Sequence, residues 1–247
     1  MSYPAEFETK ITVNPLVLLG VGGVAWFMSS FIAVAILKSF LPPKEWVDVG
    51  IFGAKFISAL CLVWFVMALG INIPAVMGDW WKCRAKHLQT VFKYFVIYAG
   101  FTALVMIVLM IIFILFEKTG KINLSIILDL ATNSNPKDKM VQLKFMLENS
   151  ILRFILSLVS MCILAPIIEE VFFRRFLFVA LRKKMSFIPA LLISVIFFMA
   201  VHPNVALGAI GGIYLGYVYE KGKSLPANIL IHSTANLAVI TISMILL

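Results

Sequence analysis

Ile167-Ile168-Glu169-Glu170-Val171-Phe172-Phe173-Arg174-Arg175 places two adjacent carboxylates and a pair of guanidinium groups inside the otherwise apolar run from Asn149 to Lys184. As a continuous helix that run would be roughly 50 Å long, against about 30 Å of hydrocarbon in a bilayer. It must therefore bend, tilt or break, and Pro166 is the expected place. An ionisable group at membrane depth costs about 2.5 to 3.5 kcal/mol on insertion scales, a cost that implies use. On a helix Glu170 and Arg174 share a face four residues apart, with the acid on the amino-terminal side, the favoured order for an ion pair. Glu169 lies about 100° further round and is free to address a different partner. The competing reading is an interfacial amphipathic helix whose charges meet headgroups and water.

The rest of the chain supplies the setting. Of 247 residues, 62% are apolar and 13% are Asp, Glu, Lys or Arg. A soluble domain holds about 45 to 50% and about 25%, so a soluble enzyme and a disordered tail are both excluded. Mean hydropathy is +1.03, and the expected fold is all-α, a polytopic helical membrane protein with seven or eight membrane segments. The clearest apolar stretches are Leu16 to Leu41, Gly50 to Ile73, Leu88 to Phe116 and Ile151 to Ile168, with Trp46, Trp80 and Trp81 beside Lys44, Lys82, Arg84 and Lys86 as at a headgroup boundary. Lys55 and Arg153, near span ends, are expected to snorkel. The formal charge of +9 lies largely beside apolar runs, so lipid headgroups explain it without nucleic acid. Met1 to Asn14 is polar and partly acidic, which argues against a cleavable signal. Cys61, Cys83 and Cys162 are odd in number and far apart, so no disulfide framework or metal-binding CxxC is present. Within the polar stretch Glu117 to Asn149, Ile122 to Leu130 suits a short interfacial helix, followed by the turn-forming Asn133-Ser134-Asn135-Pro136.

Two more polar clusters interrupt apolar runs. Phe198-Met199-Ala200-Val201-His202-Pro203-Asn204 ends one segment in a histidine, which by itself reads more readily as a satisfied turn residue than as a catalyst. His232-Ser233-Thr234-Ala235-Asn236 lies inside the last run, with His232 and Asn236 on one helix face. That pair serves interhelical hydrogen bonding as well as it serves function. Depth connects the three clusters. If Arg182-Lys183-Lys184 and Lys221-Gly222-Lys223 are turns on one side of the membrane, Glu169 and His202 lie about 20 and 24 Å from them along their helices, and His232 and Asn236 about 14 and 20 Å. One shared polar pocket is thus permitted. Gly208, Gly212 and Gly216 give the intervening helix a smooth face for close packing.

Glu169-Glu170 with Arg174, Phe198 with His202, and His232 with Asn236 match, in order, the pattern EExxxR, FxxxH and HxxxN. The last third of the chain thereby resembles the CPBP family, the CAAX prenyl endopeptidase and bacteriocin-processing group also called Abi proteins. The three motifs together are far more specific than any one. Arg175 departs from the pattern, since many members have glycine there. The resemblance implies an intramembrane endopeptidase acting on a lipid-modified or membrane-bound peptide, either a prenylated CAAX protein or a leader peptide. Carried over by position, Glu169 and His202 activate water, His232 and Asn236 steady the oxyanion, and Glu170, Arg174 and Phe198 support them. On this view residues 1–149 form amino-terminal transmembrane helices and a polar loop, and residues 150–247 the catalytic helical core of one integrated bundle.

The residue chemistry is compatible with those roles. A carboxylate within reach of water is a general base, and an imidazole N–H and a carboxamide are donors for developing negative charge. No serine or cysteine nucleophile is required, and Ser233 faces away from His232 on a helix. The expected site holds no metal or other cofactor, although Glu169, His202 and His232 also suit zinc with an open position for water. The implied partners are membrane lipids and the peptide substrate, with no nucleic acid, in a multi-pass protein of the cell membrane. The alternative is a noncatalytic membrane scaffold or bacteriocin-immunity protein of the same fold, which gains nothing from burying this polar set. A proton-coupled transporter would show an inverted repeat between its halves, and none is visible.

Overall fold

The computed structural model describes residues 15–40, 49–68, 81, 84–117, 136–202 and 205–245. Met1 to Asn14, Ile122 to Leu130 and the Pro203-Asn204 turn, on which expectations were placed, lie outside the described residues. Every secondary-structure element among the described residues is helical: α1 (Pro15–Phe40), α2 (Ile51–Ala68), α3 (Arg84–Glu117), α4 (Pro136–Asn149), α5 (Ile151–Arg182), α6 (Phe187–Ala200), α7 (Val205–Gly222) and α8 (Leu225–Ile245). The protein is an all-α membrane protein. By length and composition Gly20–Phe40, Ile151–Arg182 and Leu225–Ile242 qualify as spans, and Ile51–Phe65 and Phe187–Ala200 are shorter apolar helices. Side chains such as Phe31, Phe40, Trp64, Phe92 and Ile196 stand exposed around the outside, where lipid is their natural solvent.

Helix α5 runs through Pro166 without interruption, so the segment is one helix and not two. The reason is local. Ser160–Leu164 is wound as a π-helix, and the Ala165 N–H reaches back five residues to the Ser160 carbonyl. The wider turn accommodates the proline ring, and Pro166 opens the following α-helical stretch, where its missing N–H matters least. A second π-helical stretch, Val171–Phe178, follows at once, so the two glutamates sit on a short α-helical piece between two wide turns.

The principal core forms around α5. Ile168, Phe172, Phe173 and Phe176 pack with Ala59 and Leu62 of α2, Val91 of α3, Phe198 of α6, Tyr214 and Leu215 of α7 and Ile231 of α8. Trp26 of α1 lies against Phe172 and Phe173, with ring centroids 4.9 and 5.8 Å away. Small residues set the fit of α7 on α6. A Cβ on Gly216 would come within 2.4 Å of Leu191, and one on Gly212 within 3.3 Å of Phe198, so these glycines serve close approach as their spacing suggests. The basic turns meet at one end of the bundle: Arg182 holds Glu220 with two hydrogen bonds, 3.2 and 2.9 Å, and Lys223 pairs with the same carboxylate at 2.8 Å.

Candidate active site

Helix α5 presents its two carboxylates in different directions, in keeping with the 100° offset, with His232 as a neighbour of both. Glu170 is fully buried and accepts from Arg174 Nε at 3.1 Å, one turn on. Its other contacts come from α8: Asn228 Nδ2 donates to Oε2, and His232 Nδ1 lies 3.0 Å from Oε1. Arg174 is equally buried, donates through Nη1 to Ser194 Oγ of α6 at 3.3 Å, and stacks over the Phe198 ring at 4.8 Å. Ser194 donates in turn to the Phe173 carbonyl at 3.4 Å. One ion pair thus fastens α5, α6 and α8 at a single depth. Its charges are compensated inside the protein, the condition under which burial is tolerable.

Glu169 points the other way, into a cavity of about 310 Å³ also lined by His202, His232 and Asn236. Its Oε2 is 3.3 Å from His202 Nε2 and 3.7 Å from His232 Nε2. His202 is oriented from behind, because its Nδ1 lies 2.6 Å from the Phe198 carbonyl, which can only accept. Phe198 also stacks on the His202 ring, with centroids 4.0 Å apart. His232 is oriented by the same logic, its Nδ1 facing Glu170. Both histidines therefore turn Nε2 towards Glu169. Asn236 spends one N–H on the Met161 carbonyl at 2.9 Å and lines the cavity beside His232.

All the residues selected from the three motifs come together: Glu169, His202, His232 and Asn236 around the cavity, and Glu170, Arg174 and Phe198 behind them. Glu170 does more than pair with Arg174, since its second oxygen aims His232. Two of the helpers are absent from the motif reading, Ser194 and Asn228, both with no exposed surface. Their signal was spacing, because Ser194, Phe198 and His202 recur every four residues, as do Asn228, His232 and Asn236. Lys55, expected to snorkel, instead forms part of the cavity wall, because α2 packs against the stretch of α5 that carries Glu169. Gly208 is the other position the spacing undervalued. A Cβ there would meet His202 Cβ at 3.0 Å and the Met199 backbone at 3.3 Å, so the missing side chain makes room for the histidine.

The arrangement offers two kinds of chemistry. A carboxylate oxygen flanked by two imidazole nitrogens is a place to hold and deprotonate a water, with a carboxamide nearby as hydrogen-bond donor. One donor atom each from Glu169, His202 and His232 also lies within 4.8 Å of the others, an N2O set that fits zinc. Comparison with known proteins bears on the choice of reaction. Residues 151–238, which contain all three motifs, match the family model described as Type II CAAX prenyl endopeptidase Rce1-like. No curated protein and no solved structure matches the chain.

Proposed function

We propose that this membrane protein, whose residues 151–238 form a domain of the type II CAAX prenyl endopeptidase Rce1-like family, hydrolyses a peptide bond of a membrane-associated substrate by glutamate-activated water. The observation that carries the reading is the convergence of Glu169, His202 and His232 on one small cavity, with Asn236 in its wall. A water hydrogen-bonded to Glu169 and His202 loses its proton to the carboxylate as it attacks the scissile carbonyl. The carbonyl oxygen becomes an oxyanion within reach of His232 and the free N–H of Asn236. Collapse of the tetrahedral intermediate returns the proton to the leaving amine, completing hydrolysis.

This assignment sets the protonation of His232. With Nδ1 directed at Glu170, the ring offers a donor to the oxyanion only if Nε2 is protonated as well. With a proton on Nδ1 alone, Nε2 is a lone pair, suited to a metal. The donor set supports a second reading on that ground, in which a zinc ion held by Glu169, His202 and His232 would supply Lewis acidity and a more acidic water.

The test is turnover by the purified protein in liposomes, using a prenylated peptide that ends in a CAAX sequence and, separately, a membrane-bound leader peptide. Cleavage of either supports an endopeptidase, and the preference between them assigns the substrate. Cleavage of neither contradicts the reading and returns the noncatalytic scaffold. A strong chelator in the same assay leaves the rate unchanged if water is activated by glutamate alone and abolishes it, with recovery on added zinc, if the metal reading holds.

A further inference from the structure

The winding of α5 decides what Asn236 can bind. In an α-helix the Met161 carbonyl accepts from the N–H of residue 165, and in a π-helix from that of residue 166. Here the Ala165 N–H reaches past it to the Ser160 carbonyl, and residue 166 is proline, which has no N–H to give. Both of the usual donors are thus denied to the Met161 carbonyl. The group that takes it is the Asn236 side chain of α8, whose Nδ2 donates at 2.9 Å. A carbonyl only accepts, so this contact fixes which end of the carboxamide is the nitrogen. Because the amide group is planar, anchoring one N–H also fixes the direction of the other. Met161, Ala165 and Asn236 all line the cavity that holds Glu169.

Resting on the peptidase reading of this site, we propose that Pro166 is a positioning residue: its missing N–H leaves the Met161 carbonyl to Asn236, and so aims the second Asn236 N–H at the oxyanion. An unbroken α-helix through position 166 would return the Met161 carbonyl to the Ala165 N–H. A π-helix with any other residue at 166 would give it to that residue. Either donor is placed beside the carbonyl by the chain itself, whereas Asn236 gives up side-chain freedom to reach it from α8, so the local donor prevails. The proline and the wide turn before it therefore act together on a side chain of another helix. A proline that only shaped α5 would bear on stability and leave this hydrogen bond alone.

Turnover of the prenylated and leader peptides is measured on the full-length protein in liposomes, and side-chain amide NMR on the same protein in detergent micelles. Pro166→Ala restores an N–H and removes part of the bulk of the ring; Pro166→Val restores the N–H and keeps the bulk. In both, kcat is expected to fall about tenfold or more with KM little changed, since only a donor to the transition state is displaced. Lactic acid at position 166, the α-hydroxy counterpart of alanine, carries the same methyl group without the N–H and should restore most of the loss. In an Asn236→Ala background, Pro166→Ala should cost nothing further, as two changes acting through one group do. The side-chain amide signal of Asn236 in isotopically labelled protein, identified by its loss in Asn236→Ala, is expected to shift in Pro166→Ala and to return with lactic acid. Unchanged kcat in both variants that regain the N–H, equal losses with alanine and lactic acid, or a full further loss in the Asn236→Ala background overturns the proposal. If the amide signal behaves as expected while no peptide is ever cleaved, the hold of Pro166 over Asn236 stands and the peptidase reading fails.

Discussion

Glu170 and Arg174 are fully buried, yet between them they tie together three helices, Arg174 reaching Ser194 of α6 and Glu170 reaching Asn228 and His232 of α8, so the energetic weight of the site rests on this pair. Removing one member leaves an uncompensated charge, a loss of about 3 to 5 kcal/mol, whereas removing both leaves none. Arg174→Met and Glu170→Gln are each expected to lower the unfolding midpoint sharply in detergent, and the double variant to recover much of it. Additive losses in the double variant would show that the pair is not coupled. The residue scale also separates aim from chemistry. Asn228→Ala keeps Glu169, His202 and His232 but removes a donor from Glu170, so His232 is less firmly held; turnover is expected to fall about tenfold or more with the fold intact. The two glutamates were legible because charges in an apolar run are costly enough to stand out, and the two histidines and Asn236 because they fall, in order, at the spacings of the three motifs. Ser194 and Asn228 were not, since a serine or an asparagine in a membrane helix is ordinary and only the identity of its buried partner gives it a role. The place of Lys55 in the cavity wall was not legible for a related reason: distance from a span end says nothing about which helix faces it.

At the scale of elements, two glycines of one stripe do different work. Gly216 faces the middle of α6, where a methyl would overlap Leu191, and Gly208 faces the end of α6, where it would press on His202. Gly216→Ala is expected to destabilise by about 1 to 3 kcal/mol through overpacking. Gly208→Ala is expected to cost turnover more than stability, because the histidine it displaces is at the cavity edge. Gly100→Ala, which meets nothing within 4 Å, serves as the comparison and is expected to be neutral or slightly stabilising. Thermal unfolding and turnover measured on the same three preparations separate these outcomes; equal losses of activity at Gly208 and Gly216 would refute the distinction. Sequence periodicity foretold the α6–α7 pairing but not the winding of α5. A proline in an apolar run announces a disturbance, and whether the helix breaks there or widens into a π turn depends on neighbours in space, here α1, α2 and α8 packed along it.

For the whole molecule, composition alone excluded a soluble fold, and the apolar exterior agrees. The meeting of Arg182, Glu220 and Lys223 fixes one relation that loop charges suggested, namely that the α5–α6 and α7–α8 turns lie at the same end. Single cysteines replacing Lys184 and Lys221 should therefore be labelled from the same side of the membrane by an impermeant maleimide, and one replacing Glu148 from the other. Labelling of positions 184 and 221 from opposite sides would contradict the bundle as described. The number of crossings is less legible, because α3 and α6 differ so much in length and the polar stretch between α3 and α4 interrupts the simple alternation of spans.

The central claim is that Glu169 is the base of a hydrolytic site inside the bilayer, and turnover by Glu169→Gln reconstituted beside the unaltered protein tests it most directly. The substitution keeps shape and hydrogen bonding while removing the charge. Turnover is expected to fall by about 10²- to 10⁴-fold, at matched unfolding temperature and matched substrate binding. Hydrolysis by a folded Glu169→Gln protein at a rate close to that of the unaltered one would contradict the account.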